Sequence, residues 1–241
     1  CFNKSLNKNN HIIACNEGAA VSLGIGHYLA TSRPALIYLQ NSGLGNTINP
    51  LVSLSHKEVY SIPLILLIGW RAEILEDNSQ LEDEPQHRAQ GMITCKQLDL
   101  MGIDYFILDK YTENYRQQIK KNLEKSIKHS VPFAIVVRKN SFKKNKEIRF
   151  INPNSKFLSR EVIIKQIIRS IPKDTFIVST TGFTSRELFE IRKFENMNHK
   201  NDFLTIGGMG HASQIAVGIA LAKPNRRILC IDGDGSLLMH S

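Results

Sequence analysis

The amino-acid sequence predicts an α/β protein made of two doubly wound parallel-sheet domains. Short apolar runs alternate with amphipathic stretches along the whole chain. One run, Pro63–Gly69, is apolar almost without interruption, as expected of a central parallel strand covered on both faces. A polar, basic segment from Arg138 to Asn154 breaks the alternation, which then restarts.

His11–Ala14 reads as a strand, and Gly18–Ala30 as a helix with small residues along one side. Ala35–Leu39 reads as a strand and Leu44–Ser55 as helical. The polar loop Arg71–His87 separates the Pro63–Gly69 strand from a helix over Gln90–Met101. Tyr105–Leu108, Asn114–His129 and Phe133–Val137 follow as strand, helix and strand. Beyond Asn152-Pro153-Asn154, Ser159 can cap a helix that runs through Ser170. Thr175–Ser179 is a strand, Arg186–Arg192 a helix, Phe203–Ile206 a strand and Ala212–Ala222 a helix. Arg227–Ile231 is a strand that runs into a glycine turn. The first domain is expected over residues 1–140, a linker over 141–157 and the second domain over 158–241.

Composition narrows the function classes. The chain has 241 residues, 42% of them hydrophobic, enough for one large core or two smaller ones. Charged residues make up 22% and aromatics 7%, the profile of a folded chain. The net charge of +9 is spread, with a local cluster at Lys143, Lys144 and Lys146. No aromatic interleaving or zinc spacing accompanies it, so solvated surface charge is expected rather than a nucleic-acid site. Cys1, Cys15, Cys95 and Cys230 form no CxxC pair, which fits a reduced, cytoplasmic protein. No run reaches the ~18 apolar residues of a membrane span, and no signal peptide is seen. The sequence begins at Cys1 inside running sequence and reads as a fragment whose true start is missing.

Ligands of open α/β sheets bind beyond the carboxyl ends of the strands, and every suggestive motif falls at such an end. The strand Arg227–Ile231 ends in Asp232-Gly233-Asp234-Gly235-Ser236. Glycines there let backbone N–H groups approach a phosphate, and Asp234 offers an oxygen to Mg²⁺. The same residues also suit a tight turn with Asp capping a helix. Thr205-Ile206-Gly207-Gly208-Met209-Gly210-His211 allows close approach to a flat ligand, or close helix packing. Ser179 to Ser185, including Thr181 and Gly182, can hold anionic oxygens at a helix start, or simply cap it.

In the first domain Glu17 follows Asn16 at a strand end, where a helix dipole also favours a carboxylate. Gln40-Asn41-Ser42-Gly43-Leu44-Gly45-Asn46 is rich in amides and glycine and suits oxyanion recognition. Asp83-Glu84-Pro85-Gln86-His87 places a histidine and two carboxylates on one polar loop.

Together these segments resemble the thiamine diphosphate-dependent decarboxylases. The pieces that carry the resemblance are Asn16-Glu17-Gly18, QNSGLGNTINPL from Gln40, SIPLILLIGWR from Ser61 and DEPQH from Asp83. STTGFTSREL from Ser179, GGMGHAS from Gly207 and DGDG from Asp232 complete them. The resemblance spans nearly the whole chain. It implies the thiamine diphosphate-binding fold: a pyrimidine-binding domain, a short linker and a diphosphate-binding domain, the second incomplete here.

The resemblance implies non-oxidative decarboxylation of a small anionic 2-oxo acid, with a phosphonate tail first and a sulfonate tail as the alternative. The intact QNSGLGN and DEPQH segments, and the fusion of both domains in one chain, favour the phosphonate. Thiamine diphosphate and Mg²⁺ are the implied cofactors, and a homodimer or larger assembly the implied state. Glu17 matches the glutamate that hydrogen-bonds the aminopyrimidine ring. The Gly207 carbonyl matches an acceptor from the 4′-amino group, and Met209 the apolar residue that bends the cofactor. Gly208 and His211 flank them, with Thr181 and Gly182 nearby. Asp234 matches a Mg²⁺ ligand, with Gly233, Gly235 and Ser236 around the diphosphate. His87 matches a proton-relay histidine. Gln40, Asn41, Ser42 and Asn46 are expected at the substrate's anionic tail. In the family an Asn downstream completes the metal site, and it is expected beyond Ser241. A first strand is likewise expected ahead of Cys1. A cofactor-free partner subunit is the alternative from another class.

Overall fold

In the computed structural model, residues 11–143 and 157–240 are described. The chain divides into two compact units, Cys1–Glu147 and Ile148–Ser241. The expected linker falls largely outside the described residues.

The first unit holds a parallel sheet of β1 (Leu36–Gln40), β2 (Ile65–Gly69), β3 (Asp104–Leu108) and β4 (Phe133–Val137) in the order β1-β2-β4-β3. Ile65 lies beside Leu36 and Phe133, and Ile68 beside Leu39 and Val136. Side chains alternate between faces along each strand. Leu66, Ile68, Ala134 and Val136 join Val21 and Ile25 of α1 (Glu17–Thr31) and Leu98 of α2 (Pro85–Leu100) in one core. Ile65, Phe133 and Ile135 join Ile119 and Leu123 of α3 (Tyr115–His129) on the other face. Helices cover both faces, so the unit is doubly wound. Burial on both sides is why β2 and β4 are continuously apolar.

The helix ends have local causes. Asn16 caps α1 by accepting from the Ala19 N–H at 2.8 Å. Pro85 opens α2, where its missing N–H costs nothing. His11–Ala14, expected to be a strand, is not one. Ile12 and Ile13 are exposed, and no described strand pairs with them. The expected Leu44–Ser55 helix starts earlier and changes pitch twice: 3₁₀ over Asn41–Thr47, α over Ile48–Pro50 and π over Leu51–Ser55. Pro50 lacks the N–H that an unbroken α ladder needs.

The second unit holds β5 (Phe176–Ser179), β6 (Asp202–Leu204) and β7 (Ile228–Ile231), parallel, in the order β6-β5-β7. Ile177, Leu204 and Leu229 pack on Ile164 and Ile168 of α4 (Arg160–Ser170) and on Leu188 and Ile191 of α5 (Phe183–Phe194). Val178 and Cys230 pack on Ala212 and Ala216 of α6 (Ala212–Ala222) on the other face. Ser159 caps α4 through the Val162 N–H, as its sequence position predicts. Arg192 pairs with the buried Asp202 at 2.6 Å and ties α5 to β6. The expected turn Gly233-Asp234-Gly235 runs straight into α7 (Asp234–Met239). Among the described residues no helix is long and apolar enough to cross a membrane.

Candidate functional site

In the second unit the carboxyl ends of β5 and β7 and the loop after β6 are stitched together by one residue. Ser236 is buried, with 1% of its surface exposed. Its hydroxyl oxygen accepts from the Thr180 hydroxyl at 3.0 Å and from the Gly210 N–H at 2.9 Å. Thr205 donates to the Ser179 carbonyl at 2.9 Å, and Ser185 to the Thr180 carbonyl at 2.7 Å. Ser236 was expected around the diphosphate. Its hydroxyl instead turns inward and joins the loops. Ser236→Ala leaves the Gly210 N–H unpaired, and we expect a loss of about 1–3 kcal/mol in urea unfolding. A loss below about 0.5 kcal/mol would remove it as the junction.

Around this junction the expected residues gather. Gly182 (φ 89°), Gly208 (φ 64°) and Gly210 (φ 94°) take left-handed conformations that side chains disfavour. No atom lies within 4 Å of where a side chain would begin at Gly182 or Gly233. There is room for a ligand beside both glycines, although the Gly233 N–H donates to Asp232 Oδ1 at 2.8 Å. Thr181 and Gly207 are half-buried in the same loops. Met209 is 46% exposed, and its terminal methyl would lie 3.6 Å from a Cβ at Gly235. His211 stacks on His240 with ring centroids 4.6 Å apart.

Asp234 is exposed and accepts from the Gly235 N–H at 2.8 Å through Oδ1. Asp232, two residues earlier, has a buried Oδ2 without a hydrogen-bond partner. Sequence reasoning passed over Asp232, although the doubled Asp-Gly pattern was a signal. Among the described residues no group of three or more His, Cys, Asp and Glu forms a ready metal cage. A cation here would therefore need oxygens from a bound diphosphate. Open glycine backbone, helix starts, an exposed carboxylate and an orphaned carboxylate oxygen fit a Mg²⁺-diphosphate group.

In the first unit Glu17 opens α1. Its Oε2 accepts from the Asn46 side-chain amide at 2.8 Å. Gly43 packs directly under the carboxylate, and any side chain there would overlap Glu17 Oε1. Gly18 sits against the Asn46 carbonyl, where a Cβ would come within 2.9 Å. The 3₁₀ turn and the start of α1 thus interlock around Glu17.

Four residues of this loop were expected at the substrate. Gln40 and Ser42 are exposed, and Ser42 donates to the Gln40 side-chain carbonyl at 2.9 Å. Asn46 is bound to Glu17. Asn41 is a correction: it is fully buried. Its amide nitrogen donates to the Arg71 carbonyl at 3.2 Å and to Thr94 at 3.0 Å. Its oxygen accepts from the Arg71 N–H at 3.1 Å. Asn41 ties the end of β1 to the segment after β2 and to α2, and its side chain cannot reach a ligand.

A cleft of about 590 Å³ opens beside Gln40, lined also by Trp70, Arg71, Asp83 and Arg138. Arg71 donates to both Asp83 oxygens, at 2.9 and 2.5 Å, and holds that carboxyl below its usual range. The Trp70 indole donates to the Gly91 carbonyl at 2.9 Å, with the Arg138 guanidinium 5.4 Å from its ring. Buried Glu73 accepts from the Lys139 N–H at 3.0 Å. Arg71, Glu73 and Arg138 were not singled out from sequence. The polar residues bracketing β2 and β4 were the available signal.

His87 lies in the first turn of α2, not on the polar loop as expected, because Pro85 starts the helix. Its Nδ1 is buried without a partner, and its Nε2 is 3.7 Å from Glu84. Burial first, and then the Arg71 charge, lower its pKa from 6.5 against the opposing pull of Asp83 and Glu84. The unfolded chain therefore takes up this proton before the folded one. Stability falls as pH drops below 6.5 and through the lowered folded value. We expect an NMR titration midpoint for His87 below 6.5, and a flatter acid limb of stability in His87→Gln. A midpoint at or above 6.5 would reverse the assignment of charge state.

Two family descriptions match these units. The thiamine pyrophosphate enzyme N-terminal TPP binding domain matches residues 2–98, and the C-terminal TPP binding domain matches residues 180–241. The chain belongs to the thiamine pyrophosphate enzyme family. It is 28% identical over 244 residues to a phosphonopyruvate decarboxylase of Streptomyces viridochromogenes, covering 95% of this chain and 58% of that protein. It is 35% identical over 127 residues to sulfopyruvate decarboxylase subunit alpha of Methanococcus maripaludis, covering 53% of this chain and 70% of that one. It is 27% identical over 241 residues to a sulfopyruvate decarboxylase of Methanosarcina acetivorans, covering 93% and 59%. The chain thus spans under two thirds of the two long relatives. The last match runs across both units, so fusion of the two domains does not discriminate phosphonate from sulfonate.

Proposed function

We propose that the full protein is a thiamine diphosphate- and Mg²⁺-dependent decarboxylase of a 2-oxo acid with an anionic tail. The preferred substrate is 3-phosphonopyruvate, giving phosphonoacetaldehyde and CO₂ in organic phosphonate biosynthesis. The observation that carries the reading is Glu17, held by Asn46 over Gly43 inside the matched N-terminal domain.

When bound, thiamine diphosphate supplies the electron sink for the pair left behind as CO₂ departs. The chain's own residues do the rest. Glu17 takes and returns a proton at a carboxylate oxygen, and Asn46 fixes the carboxylate's direction. The backbone at the starts of α5 and α7 would hold a diphosphate, for which the Gly233 and Gly235 N–H groups would exchange their present acceptors on Asp232 and Asp234, and Asp234 would offer a carboxylate oxygen to Mg²⁺. The Gly207 carbonyl accepts from an amine, and Met209 presents a polarizable apolar surface to a ring. His87, neutral near pH 7, moves a proton. Gln40 and Ser42 meet the anionic tail.

We infer a homodimer or larger assembly, and a reducing compartment such as the cytoplasm. The three described cysteines, all free thiols, agree with that compartment. A decarboxylation assay of the full protein on both acids tests the substrate. Faster turnover of 3-phosphonopyruvate is expected, and faster turnover of sulfopyruvate would overturn the choice. A second reading, a cofactor-free partner subunit, draws on the Methanococcus maripaludis relative named as a subunit. Calorimetry with thiamine diphosphate and Mg²⁺ separates the two, because a partner subunit would release no binding heat.

A further inference from the structure

The β6-β5-β7 sheet carries a second concavity at its other end, where the strands begin. β5 is four residues long, and at ~3.3 Å per residue its two ends lie roughly 13 Å apart. The concavity is therefore separate from the glycine loops around Ser236. It is an open depression of about 740 Å³, and its lining includes Lys173, Asp174, Lys200, Asn201, Lys223 and Arg226, whose charged members are all exposed.

The charges come from three separate connections. Lys173 lies between α4 and β5, Lys200 between α5 and β6, and Lys223 and Arg226 between α6 and β7. Four lining groups are cations and one, Asp174, is an anion. Among the described residues the three lysines form no ion pair. Arg226 is held in place. It donates through Nη2 to the Asn201 side-chain carbonyl at 2.7 Å, and its guanidinium lies 5.3 Å from the Phe176 ring. Asn201 donates in turn to the Lys173 carbonyl at 3.3 Å, which ties the connections together. A guanidinium fixed at one nitrogen keeps its other donors for a ligand. Unpaired like charges gathered around a concavity repel one another, and a bound polyanion relieves that repulsion.

We propose that this concavity binds a diphosphate or triphosphate group. Lysines supply point charges to separate phosphates, and Arg226 supplies directional donors. Arg226 lies over Phe176, and the ring packs against the Val178, Ala212 and Ala216 core, so it is no open platform for a base. Recognition falls on the phosphates, which inorganic pyrophosphate and a nucleoside diphosphate share. The inference does not depend on the decarboxylase reading.

Calorimetry on the full protein tests it, with pyrophosphate and ADP titrated in magnesium-free buffer containing a chelator. Metal-bridged binding at Asp234 is then silent. We expect saturable binding of both. The triple variant Lys173→Ala, Lys200→Ala, Lys223→Ala should weaken it at least tenfold without lowering the thermal unfolding midpoint. The corresponding triple arginine variant should bind, and Asp234→Ala should bind as the parent does. Tighter binding of ADP would identify a nucleotide, and equal binding the phosphate group alone. Absence of saturable binding, or unchanged binding in the alanine variant, would overturn the proposal.

Discussion

Replacing Glu17 by Gln should lower turnover of the full protein by about 10²–10⁴-fold, the usual share of a general acid–base group. The substitution keeps the side chain's size and its carbonyl, so Asn46 still has an acceptor where it now donates at 2.8 Å. Gly43, without a side chain, still leaves the space that this side chain occupies. What changes is the charge and the capacity to take a proton. Cofactor affinity measured by calorimetry should therefore stay within a few-fold, because the diphosphate contacts lie on other residues. Near-normal turnover would remove Glu17 from proton transfer. A parallel loss of cofactor binding would recast it as a binding residue.

The largest stability effect is expected from Gly91→Ala. Gly91 lies within α2, and an added Cβ would overlap the Ala72 carbonyl oxygen. It would also come within 2.8 Å of both the Ala72 carbonyl carbon and the Arg71 carbonyl oxygen. These are backbone atoms, so nothing can rotate aside, and α2 must lift. Lifting strains the Trp70–Gly91 bond at 2.9 Å and the Asn41–Thr94 bond at 3.0 Å. Overpacking costs about 1–3 kcal/mol, and weakened buried hydrogen bonds about 1–3 more. The better helix propensity of Ala returns about 1 kcal/mol. A net loss of about 1–5 kcal/mol should appear in urea unfolding. A loss under about 1 kcal/mol would mean that α2 docks with slack.

The core strands were legible because burial on both faces leaves a continuous apolar run, as at Ile65–Gly69 and Phe133–Val137. Ala212–Ala222 was legible to the residue because a largely apolar run, interrupted only by Ser213 and Gln214, lies between His211 and Lys223. His11–Ala14 misled because an apolar run does not reveal whether a neighbouring strand exists. The start of α2 was missed although Pro85 marked it, since the polar first turn masks the helical period. The start of α5 depends on Gly182 at φ 89°, a backbone fact without an apolar signature.

At the site, the place of Glu17 at the start of a helix was legible, whereas its proposed role came only from the family resemblance. Asn41 was not legible, because an amide reads the same whether it meets solvent or locks three segments together. Ser236 likewise reads as one more polar residue in a glycine turn. Its partners are set by tertiary packing, 56 and 26 residues away.

Those separations also set a timetable for synthesis. Thr180 leaves the ribosome 56 residues ahead of Ser236, which at about 5–20 residues per second is a delay of roughly 3–11 s. During that interval β5 and β6 can pair, but the hydroxyl that draws their loops together does not yet exist. The nascent chain therefore carries the glycine-bearing loops after β5 and β6 open and exchangeable with solvent until α7 is made. A ligand for those loops finds them assembled only after that point.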